Sequence, residues 1–190
     1  MGYYSENYAD TRRLVLDEIE TALSSIDPES VERLVSEILS AKQVFVVGVG
    51  RVMLSLQAIC KRLAHLGISI HYVGEITEPA ITTEDLLIVG SGSGATIFPL
   101  GIAKKAKTLG AKIVHIGSDA NGPMKEVADF MVRLPVRTKN YLDDEIDSAQ
   151  PMTSLFEQSL YLLGDIIAKM IIDERKIDMK ALWRHHANLE

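Results

Sequence analysis

An α/β fold with a parallel sheet covered by helices on both faces is the architecture that this 190-residue chain predicts. Short, continuously apolar segments alternate with longer segments of helical periodicity, as in sheets that are buried on both faces. Glycines separate many of these segments, and neither an internal repeat nor a low-complexity tract interrupts the alternation. At this length we expect one domain, spanning residues 1–190.

Two amphipathic helices are predicted in residues 1–40. Asp27 and Pro28 separate them in the order expected of an N-cap followed by proline in the first helical turn. Their apolar faces are formed by Val15, Ile19, Leu23 and Ile26, and then by Val31, Leu34, Val35, Ile38 and Leu39.

The sheet core is predicted in residues 41–134. Helical stripes separate some of the strands: one ends before Gly67, and another runs from about Thr96 to Leu109 before Gly110. The predicted strands are residues 44–47, 68–73, 86–89, 112–116 and 130–134.

Beyond the sheet, residues 135–150 are charged and lack periodicity, so we expect a long loop of the kind that forms functional lids or mobile segments. Residues 151–190 are predicted to hold the C-terminal helices and a tail. The long helix from about Met152 to Asp173 is apolar on most sides in its second half, which is typical of a helix in a core or between subunits. A short helix carrying Trp183 follows.

Charge and composition exclude several classes of protein. With 26 acidic and 20 basic residues the net charge is −6, and no Lys/Arg tract is present, so nucleic acid is not an expected partner. The single Cys60 cannot form an internal disulfide or a cysteine-based zinc site, and we predict a cytoplasmic location with no metal and no cofactor. The first twenty residues are too charged for a signal peptide, and no membrane span is expected.

Two glycine-containing turns are candidate anion sites. In the first, Gly48-Val49-Gly50-Arg51, glycines let the backbone approach an anion at a helix N-terminus. Met53 replaces the third glycine of a dinucleotide fingerprint, so an oxidoreductase is the least favoured enzyme class. A simple tight turn between strand and helix remains the alternative.

The second turn, residues 90–96, interleaves three hydroxyls with glycines. Ser91, Ser93 and Thr96 are candidate phosphate donors, whereas the alternative is a turn in which Ser93 or Thr96 caps the next helix. If both turns follow neighbouring parallel strands, they face one crevice, and a phosphorylated metabolite is the expected ligand. Such a site needs little formal positive charge beyond Arg51, so we expect surface lysines to contribute little to binding.

Glu157 is the candidate general base. It lies on a polar stripe of the last long helix, flanked by Leu155 and Phe156, where partial desolvation suits proton transfer. The alternative is a capping box, Ser154-x-x-Glu157, which the pattern alone favours slightly.

The five histidines divide into two groups. His65, His71 and His115 are expected to be structural, and His65 precedes a helix end that favours a cation. His185 and His186 form either a tail that reaches a site or a solvated end.

Six motifs together resemble the 6-phospho-3-hexuloisomerase branch of the sugar isomerase (SIS) domain family. They are Gly48-Val49-Gly50-Arg51, Arg62-Leu63-Ala64-His65-Leu66-Gly67, Val73-Gly74-Glu75 with Pro79, Gly90-Ser91-Gly92-Ser93-Gly94-x-Thr96, Gln150-Pro151-Met152-x-Ser154-Leu155-Phe156-Glu157-Gln158, and His185-His186-Ala187-Asn188-Leu189-Glu190. The resemblance implies a three-layer sandwich around a five-stranded parallel sheet, and a homotetramer, or a dimer, with sites between subunits. It also implies interconversion of 3-hexulose 6-phosphate and fructose 6-phosphate through an enediol.

The same resemblance assigns roles to individual residues. Glu157 would be the base, and the His185/His186 tail would approach a site, so we take His186 as the preferred proton relay between sugar oxygens. The ligand would be held by Gly50, Arg51, Ser91, Ser93, Gly94 and Thr96, with Glu75, Ser154 and His185 as supporting residues. Val52 and Ala95 stand where the family usually has serine and glutamate. These departures leave open a regulatory or vestigial sugar phosphate binder, or an aldose–ketose isomerase of another sugar phosphate.

Overall fold

Five parallel strands form a single sheet in the computed structural model, which describes residues 2–189. The strands are β1 (Val44–Val47), β2 (Ile70–Tyr72), β3 (Leu86–Gly90), β4 (Lys112–Gly117) and β5 (Phe130–Arg133), in the spatial order β2-β1-β3-β4-β5. The predicted parallel sheet is confirmed. β2 is shorter than predicted because it is an edge strand that pairs with β1 alone, from Val44↔Ile70 to Val46↔Tyr72.

Five α-helices surround this sheet. Asp27 caps the second of them as predicted, accepting hydrogen bonds from the backbone N–H groups of Glu29 and Ser30. The predicted C-terminal helix carrying Trp183 is a short 3₁₀ turn, Ala181–His185. The helices are α1 (Tyr3–Ser24), α2 (Pro28–Ser40), α3 (Gly50–Ala64), α4 (Ile97–Thr108) and α5 (Ser154–Glu174).

Alternate residues of the strands supply two separate cores, which gives the three layers. On one face, Val44 and Val46 of β1 pack with α2, α3 and α5. On the other face, Phe45 and Val47 pack with α4 and with Met124 of a 3₁₀ turn. Continuous apolar runs were therefore a correct indication of strands covered on both faces.

Close packing of α3 against α5 places the N-terminal ends of these two helices side by side. A Cβ atom added at Gly164 of α5 would lie 2.2 Å from Cγ1 of Ile59 on α3, so this glycine permits the helices to approach. Nearer the N-terminal ends, Ser55 Oγ donates a hydrogen bond of 2.9 Å to the carbonyl of Glu157. Cys60, also on α3, is buried, and burial, with a further contribution from the charge of Glu75, raises the pKa of its thiol to about 12.

The segment 135–150 has no helix or strand, and hydrogen bonds fix its course. Glu145 accepts bonds from the backbone N–H and Oγ1 of Thr138 and from Ser118 Oγ. Glu18 of α1 accepts bonds from Ser148 Oγ, the N–H of Ala149 and the side chain of Gln150. Hydrogen bonds therefore hold the predicted long loop at two places, near Thr138 and at residues 148–150.

Acid is expected to weaken this attachment through Glu18. Burial alone would raise the pKa of Glu18, but the bonds from 148–150 and the charge of Arg137 lower it overall. Its stabilising contribution is thus complete above the unfolded pKa of about 4.3 and is lost as pH falls through the lower folded value. We expect Glu18→Gln to lower Tm by roughly 2–4 °C near neutral pH, the shift that about 1 kcal/mol produces in a chain of this size.

Thermal unfolding at a series of pH values checks this expectation. The difference in Tm between the natural chain and Glu18→Gln should shrink as the pH falls below the lowered folded pKa, where Glu18 is protonated in both folded and unfolded chains. Glu32→Gln is the matched control, because Glu32 is an exposed residue of α2. A difference that stays constant with pH would contradict the assignment.

No helix within residues 2–189 combines the length and the apolar character needed to cross a lipid bilayer.

Candidate functional site

A cavity of about 510 Å³ opens at the carboxyl ends of β1 and β3, and we call it the crevice. The chain crosses to opposite sides of the sheet after these two strands, and ligands of open α/β sheets bind at such a reversal. The crevice is lined by Val49, Gly50, Arg51, Val52, Gly90, Ser91, Gly92, Ser93, Thr96, Thr138, Lys139, Pro151, Met152, Thr153, Ser154, Phe156 and Glu157.

The turn after β3 presents its hydroxyls to the crevice. Ser91 and Ser93 are buried, and Ser91 Oγ lies 3.1 Å from Thr96 Oγ1. Thr96 occupies the N-cap position of α4, but its side chain makes no cap hydrogen bond. Thr96 is therefore the N-cap by position, as the alternative predicts, but its hydroxyl is directed toward Ser91 and not toward the helix.

The side chain of His115 holds this turn in place through a hydrogen bond. Its ring is buried on β4, and Nε2 lies 2.8 Å from the carbonyl oxygen of Ser91. Burial lowers the pKa of His115, so the neutral ring donates Nε2–H to this carbonyl at neutral pH. Gly94 has a φ of +61° and sits against the same ring, where an added Cβ would lie 3.3 Å from His115 Cε1. Gly94 therefore shapes the turn without lining the crevice.

Glu157 faces the crevice from the first turns of α5. Only 7% of it is exposed, its Oε1 accepts a 2.8 Å hydrogen bond from Thr153 Oγ1, and its Oε2 contacts Arg51 Nε. The capping-box alternative is wrong, because Thr153 is the N-cap and Ser154 is the first helical residue. Glu157 is thus one residue too far along the helix to serve the box, and its carboxylate is used in side-chain contacts.

The structure does not bring the histidine tail to the crevice of its own chain. His186 stacks on His65 with ring centroids 5.2 Å apart and also contacts Trp183, beside the C-terminal end of α3. At 1.5 Å per residue this end is roughly 20 Å from Arg51 at the helix start. His185 lies at the same end, near Gly67.

Two other predictions, for Glu75 and His65, differ from what the structure shows. Glu75 accepts a 2.7 Å hydrogen bond from His71 Nδ1 and does not line the crevice, because it follows β2 at the edge of the sheet. His65 was expected to favour a cationic form at the end of α3. Burial, the positive charges of Lys61 and Arg62, and the two tail histidines lower its pKa instead.

Sequence reasoning missed the wall that segment 135–150 contributes. Thr138 and Lys139 line the crevice, and Thr153 donates a hydrogen bond to Glu157. The only sequence features that indicated this contribution were the charge of the segment and its interpretation as a possible lid. Among residues 2–189, no cluster of three His, Cys, Asp or Glu side chains is arranged to hold a metal ion.

The SIS domain profile matches residues 37–163, which is more than half of the chain. The chain belongs to the SIS domain family. The matched region contains both glycine turns and Glu157, and the histidine tail lies outside it.

Curated relatives resemble the chain over nearly its whole length. It is 35% identical over 176 residues to a protein of Bacillus subtilis (strain 168) named 3-hexulose-6-phosphate isomerase, covering 93% of this chain and 95% of that protein. It is 37% identical over 177 residues to a Mycobacterium gastri protein of the same name, covering 93% and 88%.

A solved structure supports the same fold. A hypothetical protein of Methanococcus jannaschii, for which a 3-hexulose-6-phosphate isomerase function was inferred, superposes with a TM-score of 0.82 at 31% identity. The similarity covers 95% of this chain and 99% of that one.

Of the two departures from the SIS pattern, one bears on the crevice. Val52 lines it and packs beneath Gly90, where an added Cβ would lie 2.9 Å from Val52 Cγ1. Ala95 is exposed and is not part of the crevice lining. Only the missing hydroxyl at position 52 therefore changes the crevice wall directly.

Proposed function

We propose that this SIS domain protein interconverts 3-hexulose 6-phosphate and fructose 6-phosphate. The observation that carries the proposal is the meeting, in one crevice, of the Ser91 and Thr96 hydroxyls with the Glu157 carboxylate and Arg51. Donors of this kind suit a phosphate, and a buried carboxylate beside them suits proton transfer. The relatives named 3-hexulose-6-phosphate isomerase support the choice of sugar.

The reaction requires few catalytic groups. A 3-keto sugar phosphorylated on O6 cannot close a five-membered ring through that oxygen, so no ring opening precedes its conversion to fructose 6-phosphate. Glu157 takes the proton from C2, an enediol forms, and the proton returns at C3. Hydrogen-bond donors around the sugar oxygens stabilise the charge that develops on them.

Arg51 and Thr153 do not prevent Glu157 from acting as the base. Each carboxylate oxygen accepts one of these bonds and keeps a second lone pair, so a proton acceptor remains. Arg51 has a largely exposed side chain, which allows it to contact the sugar or its phosphate while staying near the carboxylate. In this arrangement Arg51 pairs with the Glu157 carboxylate, and Thr153 orients it.

The proposal also includes a homo-oligomer, a homotetramer or a dimer. The relay role of His186 requires the tail of another subunit, because within one chain His186 lies at the far end of α3. Apolar side chains near the crevice mouth, Ile97, Phe98 and Met152, are 89%, 50% and 90% exposed, as in surfaces that bind another protein. Sedimentation analysis tests this part, and a monomer with full activity would contradict it. A cytoplasmic location stays a prediction.

An isomerase assay with purified protein tests the function. We expect fructose 6-phosphate to be converted to 3-hexulose 6-phosphate, and to raise Tm because it binds the native state. A rise in Tm without turnover would indicate a binding or regulatory protein, as Val52 allows. Turnover of another sugar phosphate alone would indicate a different aldose–ketose isomerase.

A further inference from the structure

Lys139 is a cation of the crevice wall that the proposed mechanism has not used. Two cationic side chains line the crevice, and one of them, Arg51, is in contact with Glu157. The ammonium group of Lys139 has neither a hydrogen-bond nor an ion-pair partner among residues 2–189. An exposed lysine in this position is available to a ligand.

The backbone that carries Lys139 is fixed against the turn after β3, residues 90–96, which we call the serine turn. Its neighbour Thr138 is buried and bonded to Glu145 through both its N–H and its hydroxyl, at 3.0 and 2.8 Å. The methyl group of Thr138 packs on Gly92, where an added Cβ would lie 2.9 Å from Cγ2. The side chain of Lys139 therefore begins directly beside the turn that contains Ser91 and Ser93.

Nearby carboxylates are occupied by other donors. Glu145 accepts bonds from Thr138, Ser118 and Leu142. Asp119 accepts bonds from Asn121 and Asn140. Glu157 is held by Arg51 and Thr153, and no carboxylate among residues 2–189 forms an ion pair with Lys139.

We propose that Lys139 binds the phosphate of the substrate and makes the site selective for its doubly charged form. This inference rests on the proposed function, because it concerns the phosphate end of the same sugar. Neutral hydroxyls and backbone N–H groups hydrogen-bond to a phosphate monoanion or dianion, whereas a lysine acts as a point charge that favours the dianion. The serine turn then supplies geometry, and Lys139 supplies charge.

Kinetics of Lys139→Met test the proposal. We expect KM for fructose 6-phosphate to rise roughly 10- to 100-fold, the range for loss of a hydrogen bond between charged groups, with kcat nearly unchanged. Lys139→Arg should restore most of the affinity. Lys104→Met is the matched control, because Lys104 is exposed on α4 and lies outside the crevice lining.

The pH profile separates charge recognition from a structural effect. The second pKa of a phosphate monoester is about 6, so KM of the natural chain should rise as pH falls through this value. This rise should be weaker in Lys139→Met and unchanged in Lys104→Met. A KM or a pH profile for Lys139→Met that matches Lys104→Met would overturn the proposal.

A second measurement keeps the two proposals distinct. If the natural chain does not turn over fructose 6-phosphate, the proposed reaction fails, and inorganic phosphate then serves as the probe of Lys139. Phosphate should raise Tm of the natural chain and of Lys104→Met, but not of Lys139→Met. Equal stabilisation of all three, or of none, would overturn the role of Lys139.

Discussion

Glu157→Gln is expected to lower kcat for fructose 6-phosphate by about 10²- to 10⁴-fold, the usual contribution of a positioned general base. The amide has the shape of the carboxylate but cannot accept a proton from the sugar, which in this direction is the proton on C3. KM should change little, because the serine turn and Lys139 remain in place. Steady-state kinetics in the fructose 6-phosphate direction measure the effect.

The fold should survive this substitution. The hydrogen bond from Ser55 reaches the backbone carbonyl of residue 157, which the substitution leaves unchanged. Arg51 has a largely exposed side chain and is solvated when its partner is removed. Glu174→Gln, at the exposed end of α5, is the matched control. Undiminished turnover in Glu157→Gln would remove Glu157 from the mechanism.

Two Gly→Ala substitutions are expected to change stability in opposite directions. In Gly101→Ala the new methyl meets nothing within 4 Å on α4, so the helix gains about 0.5–1 kcal/mol of propensity. In Gly164→Ala the same gain is outweighed by overpacking against Ile59, which costs about 1–3 kcal/mol. The new methyl would clash with Cγ1 of Ile59, an atom close to the backbone of a buried side chain that cannot move aside easily.

Thermal unfolding distinguishes these outcomes. At roughly 2–4 °C per kcal/mol, we expect Gly101→Ala to unfold a few degrees higher and Gly164→Ala several degrees lower than the natural chain. Each variant is the control for the other, because the chemical change is identical. Stabilisation by Gly164→Ala would mean that α3 and α5 separate without loss, contrary to the tight contact at Ile59.

The fold was predictable because its determinants are local. Strands such as Val44–Val47 are apolar on both faces, and Asp27 with Pro28 specifies a helix start through contacts within three residues. The shortened β2 was not predictable, since its length depends on which strand lies beside it. The start of α5 was misplaced because the turn at Met152, with φ of +56°, leaves no pattern in the sequence.

The candidate site was predictable only in part. Ser91 and Glu157 belong to recognisable motifs, whereas Lys139 reaches the crevice through the path of an irregular segment. That path depends on Glu18 and Glu145, which lie far from each other in the sequence. The expectation that surface lysines contribute little stays a prediction. It uses charge counts, which contain no information about where an irregular segment lies in the fold.

The reactivity of the buried Cys60 thiol can serve as a measure of local unfolding around α3. A thiol whose pKa is raised to about 12 and whose sulfur is shielded on α3 reacts only when the helix separates from its neighbours. The rate of alkylation under native conditions therefore measures how often α3 separates from the core that buries Cys60, without an introduced label. Because Arg51 lies at the start of this helix, an opening that moves the whole of α3 also removes Arg51 from the crevice.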